Sequence, residues 1–266
     1  LITVGYSANA LGGAGGPLAV LIIAIVAAEL GKAVSKETKI DILATPLVTI
    51  FAGVGLSMLI AAPIGAAASQ VGTLIMWATE QAPLVMGILV SVIVGVALTL
   101  PISSAAICAA LGLTGLAGGA AVAGCCAQMV GFAVMSYKEN GVGGLVSQGL
   151  GTSMLQMGNI IKNPRIWIAP TLASAITGPL ATCLFHFEMN GAAVSSGMGT
   201  CGLVGQIGVY TGWVNDIAAG TKAAITPMDW VAMLLICFVL PAVLSVVFCE
   251  IERKLGWIKE GDLKLN

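Results

Sequence analysis

Residues 190–216 read NGAAVSSGMGTCGLVGQIGVYTGWVND, and this stretch decides the fold. Seven of its 27 residues are glycine, and no charged side chain occurs before Asp216. The length and low polarity suit a membrane span, but glycine at this density weakens a helix because its backbone loses the most freedom on folding. Non-helical backbone survives at membrane depth only where protein or a water-filled cavity surrounds it. The stretch therefore predicts a broken hairpin that faces a polar chamber.

The whole chain has the composition of a helical membrane protein. Of its 266 residues, 58% are apolar and only 9% are charged, and the mean hydropathy is +1.02; soluble domains carry about 25% charged residues. The apolar runs are nearly continuous, which favours helices over the alternating strands of a membrane barrel. We predict an all-α polytopic membrane protein with about seven to eight transmembrane helices plus re-entrant hairpins. The net charge of −1 gives no reason to expect a nucleic-acid partner.

Seven hydrophobic segments are predicted to span the bilayer, and two apolar segments are not. Pro46 and Pro63 are expected to interrupt the second span. Residues 70–81 are predicted to be interfacial because Trp77 lies near Glu80, and residues 101–115 are too short to cross. The predicted spans are residues 12–30, 42–69, 82–100, 116–135, 142–161, 166–187 and 227–248.

Basic residues predict the orientation, because cytoplasmic loops carry an excess of lysine and arginine. The tail 250–266 is basic and is therefore predicted to be cytoplasmic. Counting spans back from the tail, residues 190–214 leave and re-enter the membrane on one side, which makes them re-entrant. The chain begins without a methionine or a basic signal region, so upstream spans are expected before Leu1. The basic residues used are Lys32, Lys36, Lys39, Lys162, Arg165, Arg253, Lys254, Lys259 and Lys264.

Short motifs recur in the same order in the two halves of the chain. GLSML at 55–59 returns as GTSML at 151–155, and PISSAAICAALGLTGLAG at 101–118 resembles AVSSGMGTCGLVGQIG at 193–208. We predict a single transmembrane domain, 1–266, with half-repeats 42–137 and 142–248. Residues 101–115 would then form a second hairpin, with a pocket between the two. Chance similarity in a chain rich in glycine, alanine and leucine is the alternative.

The candidate binding residues are polar side chains inside or beside the predicted spans. Such groups are costly in lipid and usually face a cavity. Together they supply donors and acceptors without a block of net charge, which suits the hydroxyl groups of a sugar. A transporter driven by ions would need more buried carboxylates than the chain offers. The predicted substrate-binding residues are Gln156, Asn159, His186, Glu188, Asn190, Ser195, Ser196 and Gln206.

Each polar residue also has a purely structural interpretation. His186 and Glu188 would fit at the headgroup boundary, and Gln128 would fit as an interhelical hydrogen-bonding residue. Serine and threonine in glycine-rich spans commonly bond the carbonyl group four residues earlier.

No catalytic, metal or cofactor site is predicted. The chain has one histidine and no legible Ser-His-Asp arrangement. Its seven cysteines include no C-x-x-C pair, so we interpret them as small packing residues, with a redox or metal role as the alternative.

Three motifs resemble one bacterial family. DILATPLVTIFAGVGLSMLIAAPIGAA (41–67), ALTLPISSAAICAALGLTGLAGGAAVAG (97–124) and NIIKNPRIWIAPTLASAITGPLA (159–181) are similar to phosphotransferase-system IIC-like membrane proteins, also described as toxin regulators of the perfringolysin-regulator type. The resemblance covers most of the chain. It implies a multi-pass protein of the bacterial cytoplasmic membrane, a homodimer, and separate cytoplasmic IIA and IIB phosphotransfer partners.

A more distant likeness is to fructose-type IIC sugar permeases. Gln156-Met157-Gly158 stands where those permeases have Thr-Glu-Gly, and Asn190-Gly191 stands near their His-Gly. The carboxylate that the resemblance implies for sugar binding is thus missing from that turn, and Glu188 is the candidate substitute. Phosphorylation coupling is therefore open even if the fold is shared.

Three functions follow from these observations. The first is a permease subunit that binds and translocates a small polar solute, such as a sugar, between two broken hairpins. The second is a membrane-embedded sensor or regulator that binds a solute without transporting it. The third is a secondary transporter driven by ions.

Overall fold

The computed structural model describes residues 16–35 and 41–265. Lys36, Lys39 and the start of the first predicted span lie outside these residues. In the described part of the chain the regular elements are helices joined by loops, and one isolated antiparallel bridge lies between Gly115 and Met189. The chain divides into two compact units, one drawn from Leu1–Thr73 with Ala109–Leu111 and the other from Leu74–Cys108 with Gly112–Asn266. The all-α prediction is confirmed for the described residues.

The helices follow one another in chain order, with short π and 3₁₀ turns between some of them. We label them α1 Gly16–Val34, α2 Asp41–Gln81, α3 Pro83–Thr99, α4 Ser104–Leu111, α5 Gly115–Met135, α6 Tyr137–Val146, α7 Met157–Lys162, α8 Ile168–Pro179, α9 Ala193–Ser196, α10 Val204–Ala218, α11 Pro227–Leu234 and α12 Leu240–Lys254.

Four of the described helical segments are long and apolar enough to cross a membrane. Pro83–Thr99 is a shorter apolar helix of 17 residues. The total of seven to eight spans stays a prediction. The four segments are Asp41–Gln81, Gly115–Met135, Pro164–Leu184 and Pro227–Lys254.

Two predicted boundaries are wrong. Helix α2 runs without a break through Pro46, Pro63 and residues 70–81, because a backbone in lipid has no water to bond and keeps its helical hydrogen bonds where it can. Residues 142–161, predicted as a span, are instead divided into a helix, a π turn, a 3₁₀ turn and a second helix. The break begins at Gly141, where φ is +58°. Thr152 is a second non-helical residue, and its backbone is extended.

Helix α5 is the central helix of the larger unit. In it, 89% of the most apolar 18-residue window is buried, and its core-facing residues are mostly alanine, glycine and cysteine. Small residues let helix backbones approach closely, which is how helices associate when lipid removes the hydrophobic drive. An added Cβ at Gly119 would lie 1.7 Å from the carbonyl oxygen of Phe187. The chain just before the glycine-rich segment is therefore packed directly on α5.

Gln128 joins three helical segments through its buried amide. Its Oε1 accepts from the Trp167 indole Nε1 at 3.0 Å and from the Thr99 hydroxyl at 3.3 Å, and its Nε2 donates to the Thr171 hydroxyl at 3.2 Å. The prediction that Gln128 makes interhelical hydrogen bonds is confirmed. The cysteines at 108, 125, 126, 237 and 249 are free and buried, as expected of packing residues.

Gln128→Leu is expected to lower the free energy of unfolding by about 1–2 kcal/mol, because the Trp167 and Thr171 groups lose their partner without gaining water. Thermal unfolding in a fixed detergent would measure the loss. Gln70→Leu, at an exposed position of α2, is the matched control and should change little. Equal stability of the two variants would contradict the bridging role.

Candidate solute-binding site

The glycine-rich stretch 190–216 turns back on itself. It forms the single turn α9, then a reversal and a 3₁₀ turn, and finally α10. Its two ends meet, because the Asn190 side-chain Nδ2 donates to Asp216 Oδ2 at 2.9 Å. The predicted reversal of the chain is therefore confirmed, whereas the side of the membrane from which it enters stays a prediction.

Close approach explains most of the glycine in this hairpin. A Cβ on Gly191 would lie 2.2 Å from the Gly208 carbonyl oxygen, and a Cβ on Gly208 would lie 2.4 Å from the Ser195 Cβ. The descending chain therefore lies directly against α10. At the reversal the requirement is conformational, because Gly199 and Gly202 have φ near +50°, a region that side chains disfavour.

The second predicted hairpin, residues 101–115, lies beside the first. The Ser104 hydroxyl donates to the Gly197 carbonyl oxygen at 2.7 Å. At the other end, Gly115 and Met189 exchange two backbone hydrogen bonds of 3.0 Å. Since residue 104 meets 197 and residue 115 meets 189, the two broken segments run antiparallel to each other. Both contain a short helix, a reversal with positive-φ glycine and a longer helix.

A polar cavity of about 440 Å³ opens where the ends of the glycine-rich hairpin meet. Its size falls within the range of small-molecule sites, about 300–1,000 Å³. One wall is aromatic and the others carry carboxylate, amide, hydroxyl and ammonium groups. The lining residues are Phe185, His186, Phe187, Glu188, Asn190, Trp213, Asp216, Thr221, Lys222, Asp229 and Ala232.

Asn190 organises one side of the cavity. Its Nδ2 donates to Glu188 Oε2 at 3.0 Å as well as to Asp216, and its Oδ1 accepts from the backbone N–H of Gly115 at 3.1 Å. One amide thus joins two carboxylates and the start of α5. An asparagine suits this position because its NH₂ group has two donors and its oxygen is an acceptor.

Lys222 organises the opposite side. Its Nζ lies 2.7 Å from Asp229 Oδ1 and 5.5 Å from the centroid of the Trp213 ring, over the ring face. The cation therefore balances Asp229, and Trp213 also makes an edge-to-face contact with Trp230, with 5.5 Å between the ring centroids. Among the described residues no cation forms an ion pair with Glu188 or Asp216, so the groups that line the cavity carry excess negative charge.

The loop that carries Lys222 is fixed by the ends of α10 and α11. The backbone N–H groups of Thr221 and Lys222 both donate to the Asp216 carbonyl oxygen. Thr226 and Asp229 form a reciprocal capping box at the start of α11, in which each side chain bonds the other's backbone N–H. Asp229 therefore has two roles, as a helix cap and as the partner of Lys222.

The structure brings together three of the eight predicted site residues in this cavity: His186, Glu188 and Asn190. His186 is exposed and has φ of +43°, an uncommon backbone conformation for a residue with a side chain. It lies where the chain reverses after the π turn Leu180–Leu184. The reversal, rather than a longer helix, is what directs residues 186–190 along the cavity rim.

Three further predicted residues lie inside the hairpin. The Ser196 hydroxyl bonds the Ala193 carbonyl oxygen at 2.7 Å, which is the local pattern expected of serine, and Ser195 is buried against Gly208. Gln206 donates to Cys126 Sγ at 3.2 Å, while its Oε1 is buried and has no hydrogen-bond partner among the described residues. Gln206 thus joins the hairpin to α5, the two serines pack within the hairpin, and none of the three lines the cavity.

The remaining two residues, Gln156 and Asn159, belong to a separate group. Gln156 is fully buried, and its Nε2 donates to Gln148 Oε1 and to the Leu263 carbonyl oxygen, both at 2.9 Å. Asn159 donates to Gln156 Oε1 and to the Lys264 carbonyl oxygen. Neither residue lines the cavity; both bind the C-terminal part of the chain.

Eight of the eleven lining residues are not predicted from the sequence, and five of these, namely Trp213, Asp216, Thr221, Lys222 and Asp229, supply the polar groups and the aromatic face described above. The T-x-x-D pattern at 226–229 could have indicated Asp229, because this pattern marks the start of a helix. It also places a carboxylate seven residues after the isolated Lys222. Within the described residues no group of three His, Cys, Asp or Glu side chains is arranged to hold a metal ion.

Comparison with known proteins gives one match. The model of the family described as "Phosphotransferase system, EIIC" matches residues 2–265, nearly the whole chain, and confirms the resemblance seen in the three motifs. No curated protein and no solved structure matches the chain.

Proposed function

The chain belongs to the phosphotransferase system EIIC family, and from that premise we propose that it is the permease subunit that binds a small polar solute in the 440 Å³ cavity and translocates it. Family membership and the apolar helices identify a multi-pass membrane protein and a component of membrane transport. We propose in addition the class of solute, the orientation in the membrane and the phosphotransfer partners.

The cavity at the closed end of the glycine-rich hairpin is the observation that carries this proposal. It combines an aromatic face, Trp213, with convergent hydrogen-bonding groups on Glu188, Asn190 and Asp216. Ligand sites are mostly apolar concavities with a few well-placed polar groups. A volume of about 440 Å³ accommodates a single sugar ring with water. A monosaccharide or a similar polyol is therefore the proposed solute.

The charges in the cavity limit the class of solute further. Lys222 is paired with Asp229 at 2.7 Å, and within residues 16–35 and 41–265 no other cation pairs with the carboxylates of Glu188 and Asp216. An anionic solute would meet like charge there, which costs binding energy. A neutral sugar or an amino sugar is expected to bind, and a sugar phosphate is expected to be rejected. Phosphorylation by separate cytoplasmic IIA and IIB partners after translocation would then yield a product that the cavity disfavours.

Binding to the purified protein in lipid nanodiscs tests the proposal. Calorimetric titration with a panel of neutral sugars, amino sugars and their phosphates should give saturable binding for at least one uncharged or cationic member and none for its phosphate. No saturable ligand in the panel, or preference for the phosphate, would reject the proposed site.

Glu188→Ala is expected to weaken binding of the identified sugar by about 10- to 100-fold, since a hydrogen bond to a charged group contributes about 1.5–3 kcal/mol. Titration of the variant measures the change. Glu80→Ala, which removes an exposed carboxylate at the end of α2, is the matched control. If both variants bind like the wild type, Glu188 does not contact the solute.

A sensor that binds without transport is the second candidate, and one observation favours it. Gln156 stands in the turn where related permeases have a glutamate, and both ends of its amide are already hydrogen-bonded within the protein. That turn therefore offers no free carboxylate to a solute. Flux into proteoliposomes separates the candidates: binding with flux supports the permease, and binding without flux, with IIA and IIB proteins supplied, supports the sensor.

A further inference from the structure

Residues 257–265 lie across a row of side-chain amides. Five asparagine and glutamine residues between positions 140 and 163 form this row, and four of them bond the segment directly. The fifth, Gln148, connects Gln156 to the Ser136 hydroxyl, with bonds of 2.9 and 2.7 Å. We call this row the amide groove; its members are Asn140, Gln148, Gln156, Asn159 and Asn163.

The amide groove binds mostly main chain, and among the side chains of the segment it also contacts Asp262, whose Oδ2 accepts from Asn163 Nδ2 at 2.8 Å. Asn140 Nδ2 donates to the Leu263 carbonyl oxygen and its Oδ1 accepts from the Leu265 N–H, both at 2.8 Å. Gln156 donates a second bond to the same Leu263 carbonyl oxygen, and Asn159 donates to that of Lys264 at 2.9 Å. Asn140 thus bonds residues i and i+2, as the edge of a neighbouring strand would, whereas residues 260–263 form turns in which Gly261 has φ of +93°.

Two apolar side chains anchor the segment. Ile258 is 3% exposed and Leu263 is fully buried, and both pack in a cluster with Ile160 and Ile166. Most side chains between these anchors face outward. Asn163 donates to the Trp257 carbonyl oxygen at 2.9 Å. The segment is therefore held as a strap by its backbone, by the Asp262 carboxylate and by two anchors, and not as a continuous packed element.

The groove is built on the irregular part of the chain. Residues 147–156 consist of a π turn, the extended Thr152 and a 3₁₀ turn, so they lack a regular set of helical hydrogen bonds. Gln148 and Gln156 are fully buried there, and the Leu263 carbonyl oxygen is one of the groups that satisfy them. If residues 257–265 left, buried amides would lose partners, which is costly unless the segment rearranges or another peptide enters.

We propose that the amide groove is a docking site for the turn-forming segment 257–265, which occupies it as a displaceable strap that sets the conformation of residues 147–163. Displacement of the strap would free the broken segment to change its conformation and would expose a peptide-binding groove. The proposal does not depend on the solute cavity, because none of the residues that carry it lines that cavity.

The strap is tested in the full chain with Leu263→Asp, which places a charge at the fully buried anchor. Hydrogen exchange in nanodiscs should become at least tenfold faster in residues 147–163 and 257–265, while Gly115–Met135 keeps its protection. Lys264→Asp introduces the same residue at the neighbouring exposed side chain and should leave exchange unchanged. Unchanged exchange of residues 147–163 in Leu263→Asp would overturn the proposal, because the strap would not be holding them.

Addition of the synthetic peptide WIKEGDLKL, residues 257–265, to the Leu263→Asp protein tests the groove. Saturable binding that restores protection to residues 147–163 is expected, with weaker binding to the wild type, whose groove is filled. Asn140→Ala on its own, which removes two of the bonds without burying a charge, should also speed exchange of the strap. A folded Leu263→Asp protein that does not bind the peptide would overturn the docking site. If Leu263→Asp does not fold, Asn140→Ala provides the test: wild-type hydrogen exchange in Asn140→Ala would also overturn the proposal.

Discussion

Gly124→Ala is expected to prevent stable folding, although it adds a single methyl group. The new Cβ would lie 1.9 Å from the Ser91 carbonyl oxygen and 2.5 Å from its carbonyl carbon. Both atoms belong to the backbone of α3, so the clash cannot be relieved by a side-chain rotation. Helices α3 and α5 must move apart instead, in the part of the protein where packing is densest.

The movement would also break hydrogen bonds that join these helices to α8. The Ser91 hydroxyl donates to the Ser174 carbonyl oxygen at 2.8 Å, and the Ser174 hydroxyl donates to the Gly124 carbonyl oxygen at 3.4 Å. Overpacking commonly costs about 1–3 kcal/mol and occasionally more. Because backbone rather than side-chain atoms clash here, we expect a loss of at least about 3 kcal/mol. Size-exclusion profile and thermal unfolding in detergent measure it.

Gly143→Ala is the matched control. A Cβ at Gly143 would meet nothing within 4 Å, and this exposed glycine lies in α6. The control should be neutral or slightly stabilising, since alanine favours a helix over glycine by about 0.5–1 kcal/mol. If Gly124→Ala purified as a monodisperse protein with the melting temperature of the control, the close contact of α3 with α5 would be wrong.

The two broken hairpins could be predicted because the sequence features that indicate them are local. Glycine density in residues 190–216 and the short apolar run at 101–115 both conflict with a continuous span. The structure places residue 104 against residue 197 and residue 115 against residue 189. Which residues would face a cavity was less predictable. Asp216 and Lys222 reach it through the helix end and loop that follow the hairpin, and hydropathy does not report the direction of a loop.

The broken segment at 142–161 could not be recognised by hydropathy. Its composition suits a span, but its buried amides, Gln148 and Gln156, need hydrogen-bond partners that lipid does not supply. Those partners include the Leu263 carbonyl oxygen, more than 100 residues away in the sequence. Such long-range contacts also explain why Gln156 and Asn159 lie with the strap, although the polar residues of the spans were expected to form one cluster.

Gln156 and Asn190 show how the same side-chain group, a primary amide, acquires different roles. Both are uncharged amides at breaks in apolar segments, and both hydrogen-bond to three partners. All partners of Gln156 are amide or backbone groups, so its bonds are purely structural. Two partners of Asn190 are carboxylates on the rim of an open cavity. Only the second arrangement leaves charged acceptors free to bind a solute.

Asn190→Asp is therefore expected to produce the largest functional loss of any substitution in the cavity. The wild-type amide donates to Glu188 Oε2 at 3.0 Å and to Asp216 Oδ2 at 2.9 Å. A carboxylate of nearly the same shape would replace two donated hydrogen bonds with two repulsions. Since each hydrogen bond to a charged group contributes about 1.5–3 kcal/mol, we expect at least 100-fold weaker solute binding at pH 7.5 and a hairpin that opens at residues 190 and 216.

The pH dependence of Asn190→Asp tests whether repulsion between carboxylates causes the loss of solute binding. Like charges raise the pKa of the introduced carboxyl group in the folded state above its ordinary value of about 3.9. A group whose pKa is raised by folding stabilises the protein below that pKa and loses the stabilisation as the pH rises through it. Asn190→Asp should therefore approach wild-type stability and binding toward pH 5, when a proton restores one donor, and should lose both as the pH increases.

Asn215→Asp makes the same chemical change at an exposed position beside Asp216 and serves as the control. It should retain solute binding and show the pH dependence of the wild type. Thermal unfolding and solute titration of the three proteins between pH 5 and pH 8 provide the comparison. If Asn190→Asp and Asn215→Asp gave parallel curves, Asn190 would not be joining the two carboxylates. The closed hairpin end, and with it the shape of the cavity, would then be wrong.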